Sequence, residues 1–196
     1  MKIEKITNMK WLNIFNVSYK NKKGQDSNWT FASRKQNPVL GEELKPDAVV
    51  IVPIHKTPEG DKLVLIKEFR IPLGDYEYGF PAGLIENENN VDSAKRELFE
   101  ETGLNLTKII HVSPPCVSSA GLSDESVVYV ICECEGTINK DNLEENEDIT
   151  ANSMNLKDLK NLYKSGSKLS AKCVPFLMTF IMNGKIEFNM IPWAKI

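Results

Sequence analysis

The chain has no excess of positive charge: 24 Lys and Arg against 27 Asp and Glu leave a formal net charge of −3 over 196 residues. It therefore lacks the basic footprint of a nucleic-acid-binding surface. No apolar run approaches the roughly 20 residues needed to cross a bilayer. The start, Met1-Lys2-Ile3-Glu4-Lys5, lacks the apolar stretch of a secretory signal. A cytoplasmic location is expected, with neither membrane nor nucleic acid as partner. Cysteine is scarce, and Cys116, Cys132, Cys134 and Cys173 form no C-x-x-C pair, which argues against zinc and against a disulfide framework. Cys132 and Cys134 alternate within an apolar run and read as buried, reduced thiols on one face. Repeats and low-complexity segments are also missing. What remains is a length suited to one domain, with room for a small appendage.

The most informative stretch runs from Phe80 to Leu104. Val91, Ala94, Leu98 and Thr102 recur at helical spacing, so one face can pack against a sheet, and Gly103 stands where a helix stops. On the other side Glu97, Glu100 and Glu101 share one face. Over that interval a helix rises only about 4.5 to 6 Å, so the carboxylates repel one another. Arg96 can pair with Glu100, but Glu86 and Glu88 lie just upstream and one guanidinium does not neutralise the cluster. An oxygen-rich site for Mg²⁺ or Mn²⁺ is the natural remedy, set against the plainer reading of a solvated acidic face.

Around this stretch the chain reads in order. Residues 1–45 look like a separate β-hairpin unit, with Trp11 to Tyr19 and Trp29 to Ser33 as its arms. So polar a unit cannot make a sturdy core alone, which favours a homodimer. Strands are expected at Ala48 to Pro53, Lys62 to Ile66, Tyr76 to Phe80, Ile109 to Val112 and Val127 to Glu133. Ser113 to Glu125 reads as one long loop, and Asn139 to Asp148 as a strongly acidic segment. Helices are expected at Leu156 to Leu162 and Ala171 to Met182. A mixed sheet with helices on both faces accounts for this order.

Residues 83–104 resemble the Nudix box: Gly, five residues, Glu, seven residues, then Arg-Glu-apolar-x-Glu-Glu-x-Gly-apolar. Arg96, Glu97, Leu98, Glu100, Glu101, Gly103 and Leu104 match it, and Glu88 lies eight positions before Arg96. Gly83 is followed by four residues, one fewer than the pattern, before Glu88. The resemblance implies an α/β fold, the Nudix α/β/α sandwich with a mixed sheet. A small N-terminal β-subdomain, residues 1–45, would serve dimerisation and base stacking, ahead of a hydrolase domain at 46–196.

Further fragments are similar to the ADP-ribose and ADP-sugar pyrophosphatases of that family: Phe69-Arg70-Ile71-Pro72, Phe80-Pro81-Ala82-Gly83-Leu84-Ile85, Ser113-Pro114-Pro115 and Gly121-Leu122-Ser123-Asp124-Glu125. The resemblance implies metal held by Glu97, Glu100, Glu101 and the carbonyl of Ala82, screening a diphosphate and activating water, with Arg96 beside them. It selects Glu145, with Glu147 as competitor, for the carboxylate of an acidic loop that orients or deprotonates that water. Arg70, and less directly Arg34, would meet the diphosphate. Trp11 and Trp29 fall where these enzymes stack the base, though either also suits a dimer interface, and Glu125 lies in the substrate loop. The expected reaction cuts ADP-ribose or a related ADP-sugar to AMP and a sugar phosphate. Ala120 stands about where ADP-ribose hydrolases usually carry proline, which keeps UDP-glucose and GDP-mannose as alternatives. A non-catalytic ADP-ribose sensor is the reading from another class.

Overall fold

The computed structural model describes residues 1–186, so the end of the segment 46–196, Trp193 included, lies outside the described residues. In chain order the strands and helices are β1 (Lys2–Lys5), β2 (Asn13–Lys20), β3 (Asp26–Ser33), β4 (Ala48–Thr57), β5 (Gly60–Arg70), β6 (Asp75–Gly79), β7 (Ala82–Leu84), α1 (Asn90–Thr102), β8 (Asn105–Val112), β9 (Cys116–Val117), β10 (Ser126–Glu135), β11 (Ile149–Met154), α2 (Leu156–Lys164), β12 (Lys168–Leu169) and α3 (Val174–Asn183). They form two compact units, Met1–Asp47 with Pro115–Val127, and Ala48–Pro114 with the chain from Val128 onward.

The first unit is built on the antiparallel sheet β1-β2-β3. Phe15 lies opposite Phe31 in the ladder, their rings stacked at 5.7 Å, and with Val17 they make a small core. Buried Asn13 fixes the entry to β2: its Oδ1 accepts from the Met9 backbone N–H at 2.7 Å and its Nδ2 donates to the Met9 carbonyl at 2.9 Å. The stretch expected as one long loop carries structure of its own. β9 pairs with the start of β10, and the Ala32 backbone N–H donates to Leu122 O at 2.9 Å, tying residues 115–127 to β3. β1, with three charged residues in Lys2-Ile3-Glu4-Lys5, was not expected either; its register on β2 supplies what its composition does not.

The second unit is the larger sheet, ordered β12-β6-β5-β4-β10-β8, with β11 on β5 and β7 on β4. β5 runs antiparallel to β4, β6 and β11, β7 to β4, and β8 to β10, while β12 runs parallel to β6, which makes the sheet mixed. Side chains alternate across it. One face presents Val49, Ile51, Val64, Val128, Val130, Cys132 and Cys134, and Ala94, Leu98 and Leu104 close over them. Tyr129 and Phe80 each stand 5.4 Å from the ring of Phe176, so α3 covers the other face. The expected α/β sandwich with a mixed sheet is the architecture found. Each buried aliphatic side chain in it contributes roughly 1.5 to 3 kcal/mol. Cys132 and Cys134 are free and buried on the α1 face as expected, and burial pushes both thiols up; Cys116 is only half-buried.

Candidate active site

Helix α1 begins where Asn89 Oδ1 accepts from the Val91 and Asp92 backbone N–H groups, both at 3.0 Å, capping two orphan donors. It ends at Gly103, whose φ of 74° is the left-handed turn that glycine takes without strain. Between these stops Ser93, Ala94, Leu98, Glu101 and Thr102 are buried. A glutamate therefore sits in the apolar stripe itself, because Glu101 is three residues on from Leu98.

Arg96 organises the outer carboxylates. Its Nε donates to Glu88 Oε1 at 2.8 Å, and its Nη1 donates to Glu97 Oε1 at 2.8 Å and to Glu100 Oε2 at 2.9 Å. Nη2 reaches the Leu84 carbonyl at 3.3 Å. The planar fork suits this multiple contact in a way a lysine ammonium does not. Burial opposes its charge, but the contacts with Glu88, Glu97 and Glu100 outweigh that and hold the guanidinium's pKa above its ordinary value. The shortened turn after Gly83 thus still delivers Glu88 to Arg96. No three His, Cys, Asp or Glu groups among the described residues stand together as a ready-made metal cage.

Glu101 differs from its neighbours. It is 4 % exposed, and its Oε2 accepts from the Ala82 backbone N–H at 3.2 Å. Desolvation pushes its pKa well above the ordinary carboxylate range, and the charges of Glu97, Glu147 and Glu68 push it further, against the opposing pull of that N–H. Glu97 is raised as well, first by burial and then by Glu100 and Glu147, despite Arg96. Gly83 explains how Glu97 comes so close to β7: a Cβ at 83 would fall inside the Glu97 carboxylate. This donor set of hard oxygens, whose negative charge Arg96 offsets only in part, fits a hard divalent cation, which would offset the repulsion that burial intensifies.

Strand β5 adds a carboxylate that sequence reasoning did not single out. Glu68 shares the α1 face with Val64 by the period of the strand, and its pKa is raised by desolvation and by Glu77 and Glu147, with Arg70 opposing. Its Oε1 accepts from Arg70 Nη1 at 2.6 Å, while Arg70 Nε donates to Glu77 Oε1 at 3.0 Å. Arg70, expected as a diphosphate cation, is thus held between two carboxylates on an exposed end of the strand. The signal was present in Glu68-Phe69-Arg70, since residues two apart on a strand share a face. In the acidic segment Glu145 is exposed and Glu147 half-buried. It is the Glu147 charge that acts on Glu68, Glu97 and Glu101.

The remaining expected residues belong to the first unit. Trp11 is 71 % exposed with Lys10 Nζ 4.2 Å above its ring, and Trp29 is 51 % exposed. Trp29 lines a groove of about 410 Å³ with Tyr19, Phe31, Val39 and Leu40. Arg34 Nε stands 3.7 Å from Glu125 Oε1, and the pair lines a second pocket of about 200 Å³ with Leu12, Leu122 and Asp124. The sheet and α1 therefore bring together Ala82, Arg96, Glu97, Glu100 and Glu101, and the first unit brings together Arg34 and Glu125.

Comparison with known proteins agrees with this geometry. Residues 44–175 match the NUDIX domain. The chain is 30 % identical to the ADP-ribose pyrophosphatase of Saccharomyces cerevisiae over 182 residues, covering 87 % of this chain and 77 % of that one. It is 34 % identical to putative nudix hydrolase 2 of Caenorhabditis elegans over 68 % of this chain, and 32 % identical to the ADP-sugar pyrophosphatase of Mus musculus over 62 %. It spans 59 % and 54 % of the lengths of those two relatives. The crystal structure of an ADP compounds hydrolase superposes with a TM-score of 0.69 at 17 % identity, covering 94 % of this chain and 93 % of that one, a likeness of fold. No helix among the described residues is long and apolar enough to cross a membrane. By the extent of the domain match and by the yeast relative, the chain belongs to the NUDIX domain family.

Proposed function

We propose that this chain hydrolyses the diphosphate of ADP-ribose or a related ADP-sugar, adding water across one P–O–P linkage to give AMP and a sugar phosphate. The observation that carries this reading is Glu101, a carboxylate 4 % exposed and surrounded by the charges of Glu97, Glu147 and Glu68. Such an arrangement costs stability and serves a cation and a polyanion. The relatives named ADP-ribose pyrophosphatase and ADP-sugar pyrophosphatase support the substrate class.

Nudix hydrolases generally use divalent metal ions, and Mg²⁺, with Mn²⁺ as substitute, suits an all-oxygen donor set of Glu97, Glu100, Glu101 and the Ala82 carbonyl. When bound, the ion screens the diphosphate charge and makes water more acidic. The chain's own groups do the rest. Arg96 fixes the rotamers of Glu97 and Glu100. Glu147, half-buried and electrically coupled to the helix, is better supported than exposed Glu145 as the carboxylate that takes the proton from the attacking water. Arg70 exchanges its bonds to Glu68 and Glu77 for the substrate diphosphate. Trp11 and Trp29 offer faces to the adenine, and Arg34 and Glu125 polar contacts to the rest of the nucleotide. Residues 1–45 serve to pair two cytoplasmic copies, and the hydrolase domain begins at 46.

The test is product analysis on ADP-ribose, ADP-glucose, UDP-glucose, GDP-mannose and NADH, with Mg²⁺ and then with chelator. Metal-dependent AMP from ADP-ribose or ADP-glucose is expected. Preference for UDP-glucose or GDP-mannose would move the substrate and keep the chemistry, whereas binding of ADP-ribose with no turnover of any compound would overturn the enzyme reading.

A further inference from the structure

The acidic segment 139–148 is tied down at its far end by a contact on the opposite side of the sheet from the carboxylates. The Phe69 backbone N–H donates to Asp148 O at 3.1 Å, which extends the β5–β11 ladder one residue beyond the pair Ile149↔Glu68. Phe69 in turn pairs with Tyr76 on β6. Tyr76, Phe69 and Asp148 therefore form one row across three strands. On that face the rings of Phe69 and Tyr76 meet edge to face at 5.3 Å, Lys67 Nζ lies 4.7 Å from the Tyr76 ring, and the Tyr76 hydroxyl donates to Asp148 Oδ2 at 2.5 Å.

The neighbouring row, Glu77, Glu68 and Ile149, points the other way, because strand side chains alternate with a period of two. Glu68 lies on the face covered by α1, so Tyr76 and Asp148 lie on the face away from it. Residue 147 immediately precedes Asp148, at the end of the turn that begins at Glu144. Asp148 is exposed and Glu147 half-buried, and the Glu147 charge acts on Glu68, Glu97 and Glu101. Upstream, Glu147 N–H donates to Glu144 O and Glu147 Oε2 accepts from the Glu144 N–H, each at 3.0 Å, so the turn that carries Glu145 closes on Glu147 itself.

We propose that Tyr76 is a positioning residue for hydrolysis: its hydroxyl pins Asp148 to the far face of the sheet and thereby holds the adjoining Glu147 at the carboxylate face of α1. The inference rests on the reading of Glu147 as the proton acceptor. Tyr76 touches neither substrate nor metal and acts through Asp148.

The test compares Tyr76→Phe, Glu147→Gln and the double variant on ADP-ribose with Mg²⁺. Glu147→Gln should lower kcat by about 10²- to 10⁴-fold, the usual worth of a general base. Tyr76→Phe keeps the ring against Phe69 and should lower kcat by roughly tenfold to a hundredfold with KM within about twofold, as for a misplaced catalytic group. The double variant should be no slower than Glu147→Gln, since groups acting as a unit are not additive. Asp148→Asn, which keeps a carbonyl acceptor for the phenol, should recover most of the rate lost in Asp148→Ala. Amide hydrogen exchange without metal gives a readout independent of turnover: Tyr76→Phe should speed exchange at residues 144–148 and leave α1 unchanged. Parental kcat in Tyr76→Phe, losses that multiply in the double variant, or unchanged exchange at 144–148 would each overturn the pin. Loss of rate in Glu145→Gln in place of Glu147→Gln would instead overturn the base assignment, and an inactive parent the proposed function, with the exchange experiment still deciding whether the pin exists.

Discussion

The carboxylate of Glu97 occupies the space where a side chain at Gly83 would begin. The helix that carries the acids and the strand that precedes it are thus fitted at a single glycine, through lack of a Cβ atom and with no unusual backbone angle required. Gly83→Ala must displace Glu97 or push α1 from β7. Rate losses of roughly tenfold to a hundredfold are expected for a shift of about 1 Å in a catalytic group. Steady-state kinetics with Mg²⁺ titration checks this; Gly83→Ala with the parental kcat/KM and metal dependence would mean that the Glu97 position does not matter.

Glu101 links stability to pH. Burial, with Glu97, Glu147 and Glu68 beside it, raises its folded-state pKa above the unfolded value, so the folded state holds the proton more tightly. Its stabilising share is fully present below the ordinary glutamate range and is lost as pH rises through the raised folded value. In chelator above neutral pH, Glu101→Gln should melt higher than the parent, on the order of 2–4 °C for each kcal/mol regained. The gap should close on acidification. With Mg²⁺ the same variant should be nearly inactive. Thermal melts across pH, with and without metal, separate these effects, and a parent more stable than Glu101→Gln at every pH in chelator would contradict them.

The closeness of Glu97, Glu100 and Glu101 was readable because one helix brings such spacings together, although Glu101 lies in the buried apolar stripe and not on an outer acidic face, and Gly103 marks the helix end without help from any other part of the chain. Glu68 was not readable in the same way. It comes from a strand, and only the packing of α1 on β4, β7, β8 and β11 makes its charge felt at Glu101. β11 was missed for a related reason: Ile149-Thr150-Ala151-Asn152-Ser153-Met154 has little apolar alternation, and its strand character comes from pairing with β5. Residues 113–125 read as a loop in part because Ala32 and Ser33 on β3, the partners of Leu122 and Asp124, lie about ninety positions earlier. The family resemblance selects Glu145 with Glu147 as competitor, and charge alone does not say which member of an acidic run is the more buried; here that is Glu147.

Leu98 joins α1 to the sheet beneath the acids and is fully buried among Val49, Ile51, Val128 and Val130. Leu98→Ala should destabilise the fold by about 2 to 5 kcal/mol. Denaturant unfolding measures that loss directly. A value below about 0.5 kcal/mol, the range of an ordinary surface substitution, would show that α1 does not pack as described.

The central claim is that the buried acidic face of α1 serves metal-dependent cleavage of a nucleoside diphosphate sugar. Its most direct test is AMP release from ADP-ribose by the parent and by Glu101→Gln, with Mg²⁺ and with chelator. The account predicts AMP from the parent with Mg²⁺ only, and at least a hundredfold less, as an order of magnitude, from folded Glu101→Gln. Equal rates from both proteins, or a parental rate that survives chelation, would contradict it.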